Sequence, residues 1–158
     1  MKKTTAVLLL LIMLFVFVGC NSDKPEENGD TMDLYEKTNY GENIEILTET
    51  EKEFLLCESF VEEVNSGGFE GYFSTDYSKY CVKTVEYLEK NKSDVYPKML
   101  KQAISLFPDD FDFSDPAETQ EYLEEHEDII EKFEELEEKI YDSTEDIDTI
   151  LEKLEEQI

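Results

Sequence analysis

Residues 129–140 read Ile129-Ile130-Glu131-Lys132-Phe133-Glu134-Glu135-Leu136-Glu137-Glu138-Lys139-Ile140. Ile129, Phe133, Leu136 and Ile140 recur at steps of four, three and four, which stacks them on one face of an α-helix and turns the charges outward. Ile147, Ile150, Leu151, Leu154 and Ile158 repeat the spacing in a last helix. Asp142-Ser143-Thr144 reads as a short connector with a Ser or Thr cap, so the two helices are expected to pair as an antiparallel hairpin. One continuous coiled coil is the competing arrangement, against which Ser143 and Thr144 are poor mid-helix residues.

The same periodicity extends upstream to about residue 42, and no stretch alternates with a period of two. Phe54, Cys57, Val61 and Val64 mark a first helix, with Thr48 and Glu51 as a capping box and Asn65-Ser66-Gly67-Gly68 as its stop. Cys81, Val85 and Leu88 mark a second helix. Met99, Leu100, Ala103, Ile104 and Phe107 mark a third, with Pro97 in its first turn and Pro108 at its end. Glu118 to Glu125 forms a short additional helix. The expected fold is all-α, a compact bundle of about five to six helices with an acidic C-terminal helical hairpin.

The composition excludes partners as well as folds. The 158 residues carry 41 acids against 14 lysines and no arginine, a net charge of −27. Direct binding of nucleic acid needs clustered basic residues and is excluded, as is electrostatic adhesion to an anionic membrane. Residues 108–158 hold 22 of the acids and only three lysines, so the charge is concentrated in the C-terminal third.

Lys2 and Lys3 precede an apolar run from Ala6 to Val18, then Gly19 and Cys20, the order of an export signal. Thirteen apolar residues reach about 20 Å as a helix, short of a hydrocarbon core of about 30 Å. A buried N-terminal helix with an incidental cysteine is the other reading, disfavoured by the polar, Pro- and Gly-bearing sequence that follows. Phe17-Val18-Gly19-Cys20 resembles the lipobox of bacterial lipoproteins, with Phe17 where Leu is usual. The resemblance implies a diacylglycerol on Cys20 and a lipid anchor at the extracytoplasmic face of the cell membrane. The expected organisation is therefore a signal peptide over 1–19, a flexible acidic tether over 20–42 and a helical domain over 43–158.

Glu63-Val64-Asn65-Ser66-Gly67-Gly68-Phe69-Glu70-Gly71-Tyr72-Phe73 is the most distinctive string. Its glycines permit a tight helix exit, Asn65 can cap the turn, and Phe69, Tyr72 and Phe73 can fold back as an aromatic plug, so the motif reads as structural. The string resembles the signature of the bacterial DNA-mimic protein family, with Ser66 and Gly71 where that family carries Asn and Gln. The resemblance covers residues 47 to 158. It implies an acidic all-helical homodimer that occupies a transcription factor's DNA-binding surface with carboxylates in place of phosphates.

Asp128 to Asp142 holds seven acids in fifteen residues. That is about one per 3 Å of helix axis, near the roughly 3.4 Å per charge of one DNA strand. Glu124, Asp128, Glu131, Glu134, Glu135, Glu138 and Asp142 form the candidate interaction surface; a merely solvated helix face is the alternative. An exported lipoprotein does not meet a cytoplasmic repressor, so the expected partner is instead a basic protein, peptide or polycation.

Asp110, Asp112, Ser114, Glu118 and Glu121 fall at EF-hand-like positions, but Asp115 stands where the loop needs glycine, leaving at most loose Ca²⁺ association. His126 is the sole histidine. No metal site, cofactor or catalytic residue is expected, and the chain reads as non-enzymatic. Cys57 and Cys81 sit on apolar faces, either as buried free thiols or as a bridge across the Gly-Gly-Phe turn.

Overall fold

The structure, a computed structural model, describes residues 29–158, so Cys20, the expected signal peptide over 1–19 and the start of the expected tether lie outside the described residues. The described chain is all-α: α1 (Gly29–Lys37), α2 (Glu49–Phe73), α3 (Cys81–Lys90), α4 (Val95–Ile104), α5 (Pro116–Glu125), α6 (Glu127–Tyr141) and α7 (Ile147–Glu155), with short 3-10 turns at Ile44–Ile46 and Ser78–Tyr80. Among the described residues no helix is long and apolar enough to cross a membrane.

α2 is the axis of the bundle. The expected capping box starts it: the Glu51 amide donates to the Thr48 hydroxyl at 3.3 Å, and the Thr48 amide donates to the Glu51 carboxylate at 2.7 Å. Such reciprocal caps contribute about 1 kcal/mol. Phe54, Leu55, Leu56 and Cys57 are buried in succession, so α2 is covered nearly all round rather than on one stripe. α1, α3, α5, α6 and α7 all pack against it. The two C-terminal helices pack on α2 rather than on each other, so they do not form the expected antiparallel hairpin, and α6 also packs across α4.

The helix does not stop at the glycines. It runs on to Phe73 through a kink at Gly68, whose φ of 68° and ψ of −168° lie where only glycine is comfortable. Beyond the kink Phe69, Tyr72 and Phe73 enter the core. Phe73 stacks on Phe133 of α6 at 5.5 Å and lies 5.0 Å from Phe107, while Phe60 meets Tyr72 edge-on at 4.9 Å. Aromatic pairs of this kind add about 1 kcal/mol each beyond area burial.

Three local expectations change. Part of the segment read as tether is a packed helix: Leu34 of α1 is buried, and the Tyr35 hydroxyl donates to Glu62 of α2 at 3.0 Å. Its few apolar residues sit among polar ones, which hid it from a periodicity reading. The cap of α7 is Asp146, which accepts from the Thr149 amide at 3.2 Å, rather than Ser143 or Thr144. The third helix ends at Ile104, short of Pro108. Cys57 and Cys81 are buried and free, which settles the open choice between thiols and a bridge.

Candidate functional site: the outward face of α6

α6 buries Ile129, Phe133, Leu136 and Ile140, and this fixes what the rest of its circumference presents. At about 100° per residue, Glu127, Glu131, Glu134, Glu135, Glu138 and Asp142 share an arc of about 100° opposite the buried stripe. All six are exposed. Lys132 and Lys139 flank this arc. Lys132 pairs with Asp128 at 2.7 Å, and its hydrogen bond holds that carboxyl below the usual aspartate range. Glu131, Glu134, Glu135, Glu138 and Asp142 have no ion pair among the described residues. Glu124, on α5, is exposed and accepts from the Gln120 amide at 3.3 Å.

Of the expected surface, Asp128 is therefore neutralised, and Glu127 joins the face although the sequence reading left it out. The seventh acid of the stretch, Glu137, turns inward. It accepts from the Phe69 amide at 2.7 Å and so caps the segment of α2 beyond the kink. A Cβ on Gly68 would stand 2.9 Å from the Glu137 Cδ. The outward density falls to about one carboxylate per 4 Å of helix axis, still near the roughly 3.4 Å of one DNA strand.

The Gly-Gly-Phe string contributes packing to this surface. Val64 is buried and its carbonyl accepts from the Tyr141 hydroxyl at 3.1 Å, tying the end of α6 to α2. Glu63 is half-buried, and burial, followed by the charge of Glu62, raises its carboxyl. Asn65 and Gly67 are exposed, and Asn65 makes no side-chain hydrogen bond among the described residues; Glu137 supplies the cap expected of it. The Tyr72 hydroxyl lies 3.4 Å from that of Thr84.

Other acids of the C-terminal third have structural partners. Glu145 accepts from the Val95 amide at 2.6 Å and caps α4. Asp115 caps α5 through the Ala117 amide at 2.9 Å. Asp112, in the EF-hand-like stretch, accepts from the Ser114 amide at 2.9 Å, which lowers its carboxyl. Among the described residues no group of His, Cys, Asp and Glu is arranged to hold a metal ion. His126 joins α5 to α6 and stacks on Tyr122 at 4.0 Å. Burial pushes the Cys81 thiol up to about 11 and raises Cys57 further, so neither thiol is activated.

Compared with known proteins, residues 45–158 match the family model described as DMP19-like protein, a span that includes α2 through α7. No curated protein and no solved structure matches.

Proposed function

The chain belongs to the DMP19-like protein family over residues 45–158, and on that premise we propose that it is a non-enzymatic, DNA-mimic-type protein that takes up a basic protein, peptide or polycation on the outward face of α6. The observation that supports this reading is the arc of Glu127, Glu131, Glu134, Glu135, Glu138 and Asp142, exposed and opposite the buried stripe. Carboxylates on a rigid helix present charge at a fixed spacing, which steers and orients a cationic partner more than it tightens binding. We further propose that Cys20 carries a lipid and that the domain faces the outside of the membrane, a reading supported by the Phe17-Val18-Gly19-Cys20 string.

Fluorescence anisotropy with a labelled lysine-rich peptide tests the surface. Affinity should fall at least about tenfold between about 50 and 500 mM salt, because exposed charges are screened. Converting Glu131, Glu134, Glu135 and Glu138 to Gln should weaken binding far more than neutralising the exposed Glu36, Glu70, Asp109 and Asp110. Equal losses in both variants, or salt-independent binding, refute the assignment. Fractionation of wild-type and Cys20→Ala cells tests the anchor: wild type should be found in the membrane fraction and the variant released. Recovery of wild type in soluble cytoplasm returns the protein to blocking a transcription factor's DNA-binding surface.

A further inference from the structure

We infer that the turn joining α3 to α4 is a binding site for a phosphate group, separate from the acidic face of α6. A hollow of about 500 Å³ opens there, lined by Lys92, Ser93, Lys98, Lys101 and Gln102, with the carboxylates of Glu89 and Asp94 on its wall. Ser93 is 3 % exposed, and its hydroxyl has no hydrogen-bond partner. A buried hydroxyl without a partner is unfavourable unless something outside the chain satisfies it. Ser93 is held in place by its own amide, which donates to the Leu88 carbonyl at 3.0 Å in the turn that closes α3.

The lysines point to the ligand's charge. In a chain with 41 acids and 14 lysines, Lys37, Lys52, Lys79, Lys83, Lys90 and Lys132 have each found a carboxylate. Lys92 and Lys98, like Lys139 and Lys153 elsewhere, make no ion pair among the described residues, but only these two share a hollow, and with it the buried Ser93 hydroxyl. Lys101 is paired with Glu89 at 2.5 Å, which offsets one carboxylate of the wall. The nearby N-terminus of α4 takes no part, because Glu145 already accepts from the Asp94 and Val95 amides. The site is thus made of three ammonium groups, one hydroxyl and one amide, against two carboxylates, of which Glu89 is paired with Lys101 and Asp94 is not in an ion pair among the described residues. Ammonium point charges beside a hydroxyl donor suit a tetrahedral oxyanion. Carboxylates elsewhere on the molecule oppose its entry only within a Debye length of about 8 Å.

The phosphate can belong to a soluble ligand or to a single lipid headgroup taken up by this local cluster, although the net charge opposes general adhesion to an anionic surface, and the test separates them. The ¹⁵N-labelled full chain is titrated with inorganic phosphate and pyrophosphate, against sodium chloride of equal ionic strength. It is also tested for retention on phosphatidylglycerol vesicles beside phosphatidylcholine vesicles. The expected result is saturable, millimolar shifts at the amides of Ser93 and Lys98 with the phosphates and none with chloride. A Lys92→Gln/Lys98→Gln variant should bind about fivefold more weakly. Ser93→Ala should weaken binding without lowering Tm, since it removes a hydroxyl that has no partner in the free protein. Retention on phosphatidylglycerol that the lysine substitutions abolish, without shifts from free phosphate, supports the site and identifies its ligand as a headgroup. Absence of both responses, or the same response from the lysine variant, overturns the proposal.

Discussion

Replacing Glu58 by Gln should stabilise the protein at alkaline pH and remove much of its pH dependence between pH 5 and 9. Glu58 lies on α2, facing Tyr35 of α1, Glu62 of its own helix and Glu155 of α7. One of its carboxylate oxygens is buried with no hydrogen-bond partner. Burial, then the charges of Glu62 and Glu155, push its carboxyl up to about 8, against the opposing Tyr35 hydroxyl. A folded-state value above the unfolded 4.5 means the folded chain holds this proton more tightly. The stabilisation is therefore complete below pH 4.5, is lost as pH rises through about 8, and changes no further above that. The full linkage would be about 5 kcal/mol. Glu58 is only partly buried and water screens it, so about 2 kcal/mol is the expected figure. The assay is urea unfolding followed by helical circular dichroism at pH 5, 7 and 9 and constant ionic strength. Glu51, held at about 2 mainly by the Thr48 backbone amide, loses its contribution only as pH falls below 4.5, outside this window. Glu63, also raised, acts in the same direction as Glu58, but it is common to both proteins and cancels in their difference. The variant should gain on wild type steadily with pH, reaching about 2 kcal/mol at pH 9. Two parallel profiles would show that Glu58 does not carry the effect.

The remaining predictions concern the kink, the acidic face and the thiols. Gly68→Ala should cost about 2–3 kcal/mol, because its φ is 68° and a Cβ would meet the Glu137 carboxylate. Gly67→Ala, with nothing within 4 Å of its Cβ position, should be neutral or stabilising by up to about 1 kcal/mol; thermal melts giving the reverse order would refute the kink. Glu137→Ala should cost about 1–2 kcal/mol by orphaning the Phe69 amide, and Glu137→Gln should recover much of it. Neutralising Glu131, Glu134, Glu135 and Glu138 together should hold or raise Tm, because it relieves repulsion on a face with no lysine partners. Alkylation by iodoacetamide at pH 8 should leave Cys57 and Cys81 unmodified until the protein is unfolded.

What could be read in advance divides by range along the chain. The buried stripe of α6 and the capping box of Thr48 and Glu51 depend on residues within a few turns, and both are visible in spacing alone. Gly67-Gly68 carries an equally local signal, a helix stop, but it is overridden by a partner 68 residues away. The Glu137 carboxylate satisfies the Phe69 amide, which allows the helix to resume on a new axis and drive Phe69, Tyr72 and Phe73 inward. Helical spacing sets Glu137 beside the buried stripe, four residues after Phe133 and three before Ile140, and so apart from the outward acids; only the fold brings it to the kink. The start of α7 fails differently, because Ser143, Thr144 and Asp146 are all competent caps and sequence does not rank them. Of the acids expected on the outward face, Glu131, Glu134, Glu135, Glu138 and Asp142 are exposed there, whereas Asp128 is paired with Lys132 and Glu127 joins them, because a count of acids along the chain does not show which carboxylate a lysine one turn away will take.

The arrangement of the lysines bears on whether that face is merely solvated. On α2 and α3 the charges are mixed: Glu51 meets Lys37, Glu53 meets Lys90 and Glu86 meets Lys83. A solubilising surface would continue this pattern, because mixed signs stabilise a helix as well as hydrating it. α6 instead keeps Lys132 and Lys139 beside the arc and leaves Glu127, Glu131, Glu134, Glu135, Glu138 and Asp142 on it. Like charges then face each other at four-residue spacing, as Glu127 with Glu131, Glu131 with Glu135, Glu134 with Glu138, and Glu138 with Asp142. At a few tenths of a kcal/mol per pair, the ridge costs about 1–2 kcal/mol. Ile129, Phe133, Leu136 and Ile140 bury enough apolar surface to offset that, at about 2 kcal/mol per side chain. Exchanging a ridge glutamate for lysine would recover the cost without touching the core. The cationic partner proposed above would instead convert the same repulsion into binding free energy by neutralising the row.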